Sequence, residues 1–208
     1  MENLKIIDHP LIKRDLSILR DRHTNNHVFR ITLRRIASMM AFEVTRDVKL
    51  KKGVVRTPLE KTSGYTLAEE IVIVPVLRAG LGLVDGFLDV VPEAKVGHVG
   101  LYRDEKTLQP VEYYTKFPRF LHTSLVLLID PMLATGGSGS AAITFLKNKG
   151  AKRIRFVSLL AAPEGVKKLA ETHPDVPVFA TVLDRKLNSH GYILPGLGDA
   201  GDRIFGTE

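Results

Sequence analysis

Cysteine does not occur in the sequence. Its absence excludes disulfides, thiolate nucleophiles and cysteine-bearing zinc sites, and it accords with a reducing compartment. No stretch is apolar for long enough to span a bilayer, and the opening Met1-Glu2-Asn3-Leu4-Lys5-Ile6-Ile7 lacks the apolar run of a secretory leader. A cytoplasmic protein with no membrane partner is the expectation. No glycine is followed by lysine, so the P-loop string is missing and ATP hydrolysis drops out. Gly-x-Ser-x-Gly is missing as well, which weighs against a hydrolase built on a nucleophile elbow. The seven histidines lack the close spacing of a zinc helix, so no metal cage made by the protein itself is expected.

Excess charge is scarce outside the first third. The formal charge is +7, and residues 1–61 hold 14 Lys and Arg against 7 Asp and Glu, leaving 16 of each sign in the rest. A nucleic-acid partner would therefore have to use that segment. Neither an added helix-turn-helix nor an aromatic-basic RNA signature accompanies it, so none is expected. At 44% hydrophobic and 25% charged, the 208 residues suit a single domain over 1–208, without internal repeat or linker.

What is present is an alternation of apolar strands with helices. Asp8 is placed to cap a first helix, with Pro10 in its first turn and Ile12, Leu16 and Leu19 at helical spacing. Asn26 is placed to cap a second, on which Phe29, Leu33, Ile36, Met40 and Val44 form an apolar stripe, with Arg30, Arg34 and Arg35 mostly off it. That stripe serves either the core or a subunit contact, and periodicity does not separate the two. The second use would give a homodimer or higher homo-oligomer. The basic stretch from Lys49 to Lys61 reads as loop or edge strand.

Strands follow at 71–77, 96–101, 125–129, 154–160 and 176–183, with helices at 81–91, 138–149 (ended by Gly150) and 163–172. Continuous apolar strands interleaved with helices predict an α/β fold with a mostly parallel sheet flanked by helices. Ligands in such folds sit at the carboxyl ends of the strands.

One such end is chemically marked. The apolar run 125–129 leads into Asp130-Pro131-Met132-Leu133-Ala134-Thr135-Gly136-Gly137-Ser138, and a helix begins there. An acid at a strand's end can accept hydrogen bonds from sugar hydroxyls. Two glycines let the backbone turn and present N–H groups to a phosphate, with Thr135 and Ser138 adding hydroxyls and the helix dipole favouring an anion. The alternative is a plain Gly-Gly turn capped by Asp130. Arg78, directly after the strand at 71–77, suits either bidentate pyrophosphate binding or an ordinary salt bridge.

The nine-residue string is similar to the fingerprint of type I phosphoribosyltransferases, which have a Rossmann-like fold: apolar strand, acid or acids, then Thr-Gly-Gly-Ser/Thr. Pro131 stands where a second acid is usual, and this variant resembles the uracil phosphoribosyltransferases in particular. The likeness extends through Leu19-Arg20-Asp21, Leu77-Arg78-Ala79-Gly80-Leu81, Gly100-Leu101-Tyr102-Arg103-Asp104, and the tail from Gly191-Tyr192-Ile193 to Gly206-Thr207. Gly139 stands where alanine is usual, with no effect on chemistry expected.

The resemblance implies transfer of a phosphoribosyl group from 5-phospho-α-D-ribose 1-diphosphate to uracil, giving UMP and diphosphate. It implies Asp130 and Arg103 as catalytic residues, with Arg78, Arg103, residues 130–138 and Asp199 binding the ribosyl diphosphate. A mobile flap about 103–115 and a base-binding hood about 184–208 are implied too. In the hood, backbone groups of Ile193, Gly198 and Ala200 would meet uracil, with Asp199 between base and ribose. Mg²⁺ would arrive on the substrate diphosphate. GTP acts as an effector in some relatives, and others bind RNA as regulators of pyrimidine genes; that is the alternative for this chain.

The tail also contains Gly196-Leu197-Gly198-Asp199-Ala200-Gly201, which satisfies G-x-G-x-x-G but lacks the βαβ surroundings of a dinucleotide site. Its glycines and Pro195 predict neither regular helix nor strand. Tyr192, Ile193, Leu194, Leu197 and Phe205 nevertheless favour an ordered segment over a solvated tail.

Overall fold

The computed structural model describes residues 3–103 and 110–207, with the backbone alone at 101–103 and 110–112. Its elements run β1 (Leu4–Ile6), α1 (Pro10–Arg20), α2 (Asn26–Val44), β2 (Leu50–Arg56), β3 (Lys61–Leu67), β4 (Ile71–Leu77), α3 (Leu81–Val90), β5 (Lys95–Val96), β6 (His98–Arg103) and β7 (Pro110–Lys116). The second half adds β8 (Leu125–Ile129), β9 (Met132–Leu133), α4 (Gly137–Asn148), β10 (Arg153–Ala161), α5 (Pro163–Thr172), β11 (Val178–Leu183), β12 (Lys186–Leu187), β13 (Ile193–Leu194) and α6 (Ala200–Phe205).

The main sheet orders its strands β1-β11-β10-β8-β4-β6-β7, with β5 beside β4 and β9 beside β10. Every pairing in it is parallel except that of β7 with β6. The expected α/β architecture is therefore present. Its two faces follow from strand geometry, since successive side chains point opposite ways. Ile71 and Ile73 of β4, with Leu125, Leu127 and Ile129 of β8, join the core built with α1, α2 and α3. Val72 and Val74, with Val126 and Leu128, join the core built with α4 and α5. Burial of each such aliphatic side chain contributes about 1.5–3 kcal/mol before entropy is set against it.

The apolar stripe of α2 belongs to the core: Phe29, Leu33, Ile36, Met40 and Val44 are all fully buried within the single chain. It is not a subunit face. Two helix caps lie one residue from where the sequence places them. His9, not Asp8, caps α1 by accepting from Leu11 N through Nδ1 at 3.2 Å, while Asp8 pairs with Lys13. Asn25, not Asn26, caps α2, its Oδ1 accepting from Val28 N at 3.0 Å. Paired asparagines leave the choice of cap to how the chain enters the helix.

The basic stretch after α2 is an exposed edge strand, as expected, but of a separate small sheet rather than of the main one. It forms with the following residues an antiparallel hairpin, β2 on β3, running in register from Leu50↔Leu67 to Arg56↔Lys61. Nearly every residue of the hairpin is exposed. The C-terminal segment is ordered as expected, but it does contain regular structure: β13 pairs antiparallel with β12, and α6 makes a short helix. A glycine-rich composition conceals both, because each is short and the glycines fall at the turns between them. Among the described residues no helix is long and apolar enough to cross a membrane.

Candidate active site

Strands β4 and β8 lie side by side with Pro75 opposite Ile129, so the segments after them emerge at one sheet edge. The first carries Arg78 and the second Asp130. After Asp130 the chain crosses to β10, where β9 pairs with Leu160 and Ala161, and Pro131 O accepts from Leu160 N at 2.9 Å. This docking fixes the loop before it turns. The turn is made at Gly136, whose φ of 78° is a left-handed conformation that a side chain would strain. Gly136 O then accepts from Ser140 N at 2.9 Å, and α4 is under way.

A shallow cavity of about 80 Å³ lies over this loop, lined by Asp130, residues 132–139 and Phe156. Thr135 and Ser138 are exposed at its rim, and Thr135 Oγ1 accepts weakly from Gly137 N at 3.4 Å. The N–H groups of a helix's first turn have no partner within the helix and carry its positive partial charge. Backbone donors, two hydroxyls and a dipole of the right sign thus converge on a space of anion size.

Asp130 is tied through both backbone and side chain. Its N–H donates to Val157 O at 3.0 Å, and its Oδ1 accepts from Met132 N at 3.3 Å. Burial pushes the carboxyl up to about 7, and the single bond from Met132 offsets only part of that. A carboxylate so poorly compensated is ready to accept hydrogen bonds from a ligand.

Arg78 follows a cis Leu77–Arg78 peptide and is more than half exposed. Its Nη2 lies 3.3 Å from Asp202 Oδ1, a long contact, and its Cζ lies 5.9 Å from the Phe205 ring centroid. Both partners belong to the C-terminal segment. The structure therefore brings Arg78 and the hood together, and leaves the guanidinium edge open to an anion. The backbone of Arg103 pairs with Pro110 at the end of the β6–β7 pairing farthest from His98 and Lys116. The centre of the expected flap, 104–109, lies outside the described residues, as does the Arg103 side chain.

In the hood, Ile193 is buried in β13, Gly198 turns with φ of 83°, and Ala200 is buried at the start of α6. The side chain of Asp199 has a local task not legible in the sequence: Oδ1 caps α6 by accepting from Asp202 N at 3.0 Å. The hood is also braced from below, since Glu164 Oε1 accepts from Leu187 N at 3.0 Å.

The pair that holds the hood in place, Arg20 and Asp184, has no role legible in the sequence. Asp184, almost fully buried directly after β11, pairs with Arg20 at the end of α1 at 2.6 Å. The signal that marks Asp130, an acid immediately after an apolar parallel strand, also marks Asp184. Arg203 of α6 is the other anchor: it bonds the carbonyls of Leu19, Leu197 and Asp21 and lies over the Phe29 ring at 4.6 Å.

A family model for uracil phosphoribosyltransferase matches residues 6–207. The chain is similar to proteins of that name from Finegoldia magna, 57% identical over the full length of both chains, and from Acholeplasma laidlawii, 54% identical over the same extent. A solved structure of a protein from Aquifex aeolicus is 39% identical and superposes with a TM-score of 0.93, covering 99% of each chain. An adenine phosphoribosyltransferase from Leishmania donovani shares the fold at 15% identity, with a TM-score of 0.63 over 92% of this chain and 88% of that one.

Proposed function

The chain belongs to the uracil phosphoribosyltransferase family, and we propose that it joins uracil to 5-phospho-α-D-ribose 1-diphosphate, giving UMP and diphosphate in pyrimidine salvage. The observation that carries this reading is the meeting of three parts at one sheet edge: the anion-sized loop after β8, the open guanidinium of Arg78 after β4, and the hood that touches it.

Asp130 takes hydrogen bonds from the ribose hydroxyls. The backbone from Met132 to Ser138, with the Thr135 and Ser138 hydroxyls, holds the 5-phosphate. Arg78 and Arg103 hold the diphosphate and stabilise the charge that grows on it as the bond to the sugar breaks and an oxocarbenium-like centre forms. Catalysis is chiefly placement and electrostatics, with flap closure keeping water from the sugar. Backbone groups of Ile193, Gly198 and Ala200 face the base, with Asp199 between base and ribose. A carbonyl opposite N3–H accepts from uracil but would oppose the N3 lone pair of cytosine, which discriminates strongly.

Asp130 is followed by Pro131 rather than a second acid, so this loop offers one carboxylate, too few hard oxygens for a protein-made cage. It fits Mg²⁺ carried in on the diphosphate, a cation that keeps waters and binds through substrate phosphates. When bound, the metal would neutralise diphosphate charge. By family likeness GTP is an effector, checked by adding GTP to the turnover assay, and the cytoplasm is the site of action.

A homodimer is supported by the β2–β3 hairpin rather than by the α2 stripe, because the hairpin leaves both faces uncovered. The RNA-binding alternative draws on the basic N-terminal third, where five arginines of the 14 basic residues are already committed to ion pairs. Arg14 and Arg35 pair with buried Asp15, Arg34 with Asp89, Arg46 with Glu43 and Arg20 with Asp184.

The test incubates the protein with the ribosyl diphosphate, Mg²⁺ and each of uracil, cytosine, hypoxanthine and orotate. UMP formed with uracil alone is the expected result; turnover only with a purine, or none, overturns the reading.

A further inference from the structure

The hood turns at Gly196, between Ile193 on one side and Gly198 to Ala200 on the other. Both polar backbone groups of Gly196 are held by a single ion pair. Its N–H donates to Asp184 Oδ2 at 3.0 Å, and its carbonyl accepts from Arg20 Nη1 at 3.1 Å. The two side chains close the ring through Arg20 Nη2 and Asp184 Oδ1 at 2.6 Å. Asp184 is 4% exposed and Arg20 23%, so the pair is largely desolvated.

At this turn the backbone folds tightly on itself. Gly196 has φ of 61°, and a Cβ there would stand 2.1 Å from Ile193 O. The turn is therefore packed against the carbonyl of one proposed base-contacting residue while leading directly into the others. Any rotation of Gly196 moves that carbonyl relative to Gly198 and Ala200.

We propose that Arg20 and Asp184 are positioning residues for base recognition, fixing the spacing between the Ile193 backbone and the Gly198–Ala200 backbone through Gly196. This rests on the reading of the hood as the uracil pocket. The other use for such a pair would be to staple α1 to the hood. That staple exists separately: Arg203 bonds Leu19 O and Asp21 O on the α1 side and Leu197 O within the hood. Removing Arg20 leaves those bonds in place, so the loss falls on the turn. The opposite charges also cancel beside a base that is itself neutral, so the pair acts through geometry rather than through its field. A rigid, forked guanidinium reaches a carboxylate and a carbonyl at once, which an ammonium does less well.

The test is steady-state kinetics with both substrates varied, for wild type, Arg20→Met, Asp184→Asn and Arg20→Lys, with thermal unfolding of each. Arg20→Met is expected to raise KM for uracil about tenfold or more, the scale of one lost charge-assisted hydrogen bond, and to narrow the preference for uracil over cytosine. KM for the ribosyl diphosphate and kcat stay within about threefold, and Arg20→Lys recovers part of the uracil KM. Should Arg20→Met fail to fold, the Arg20→Lys and Asp184→Asn values decide. An unchanged uracil KM, an equal rise in both KM values, or a fall in kcat alone with lowered stability overturns the inference. Wild type unable to use uracil would instead sink the functional reading on which it rests.

Discussion

Gly139 lies against the ring of Phe156, so that a Cβ at 139 would meet Cε2 at 2.9 Å and Cζ at 3.2 Å. Phe156 is fully buried in β10 and also lines the cavity over the Asp130–Ser138 loop. Family likeness places alanine at 139, and here the space for its methyl is filled by the ring. Gly139→Ala gains up to about 1 kcal/mol of helix propensity, less in the first turn of α4, while overpacking a rigid core commonly costs about 1–3 kcal/mol. The single variant is expected to unfold at lower temperature than wild type. In a Phe156→Leu background the same change should be neutral or stabilising, and equal effects in both backgrounds would remove the claimed coupling.

In its proposed role, Asp130 sets function against stability. Its carboxyl rises from 3.8 to about 7 on burial. The folded state therefore binds that proton more tightly than the unfolded chain, and stability falls as pH rises from about 4 through about 7. Asp130→Asn carries no such cost. It should equal wild type in unfolding temperature near pH 4 and exceed it by a few degrees above pH 7, in the absence of substrate. Turnover should drop by about a hundredfold or more, because an amide accepts fewer hydrogen bonds from ribose hydroxyls. A variant less stable than wild type at pH 8 would return Asp130 to a structural role.

These two positions show where sequence alone is informative. The loop from Asp130 to Ser138 is legible because its chemistry is contiguous and strand, acid, glycines and helix follow in order. The parallel sheet is legible because runs such as Leu125–Ile129 are buried on both faces and carry no polar residue. The contact of Gly139 with Phe156 and the clamp of Arg20 and Asp184 on Gly196 join residues far apart in the chain, and periodicity holds no record of them. The same limit left the α2 stripe undecided between core and interface. Short elements such as α6 fall below the length at which a repeating pattern can be seen.

Arg78 offers a cleaner separation of binding from folding. Its side chain is 58% exposed and its 3.3 Å contact with Asp202 is long, so the ion pair contributes little to stability. Arg78→Lys should lower kcat/KM for the ribosyl diphosphate by about ten- to a hundredfold, since a point charge cannot replace a bidentate fork on pyrophosphate. The unfolding temperature should move by no more than about 1 °C. A large thermal shift with unchanged kinetics would identify the arginine as a structural brace to the hood.

The β2–β3 hairpin supplies the remaining prediction. Among the described residues the two seven-residue strands pair with each other alone, and Val54, Leu59 and Tyr65 are 75%, 95% and 63% exposed. A two-stranded hairpin is marginally stable at best on its own in water, and a cover over its exposed apolar side chains would stabilise it. A second copy presents the same hairpin and can cover it reciprocally, as a twofold interface does. Val54 and Tyr65 share a face, because Val54 pairs with Ser63 and Lys52 with Tyr65 in a strict two-residue alternation. Placing aspartate at both, Val54→Asp with Tyr65→Asp, buries two carboxylates in the proposed contact while leaving the main core untouched. Sedimentation velocity should give wild type at about twice the 23.1 kDa chain mass and the double variant at the single mass. The variant should keep its far-ultraviolet spectrum, since neither Val54 nor Tyr65 belongs to either core. Wild type sedimenting as a monomer, or a variant that remains dimeric, would show that the hairpin serves some other contact.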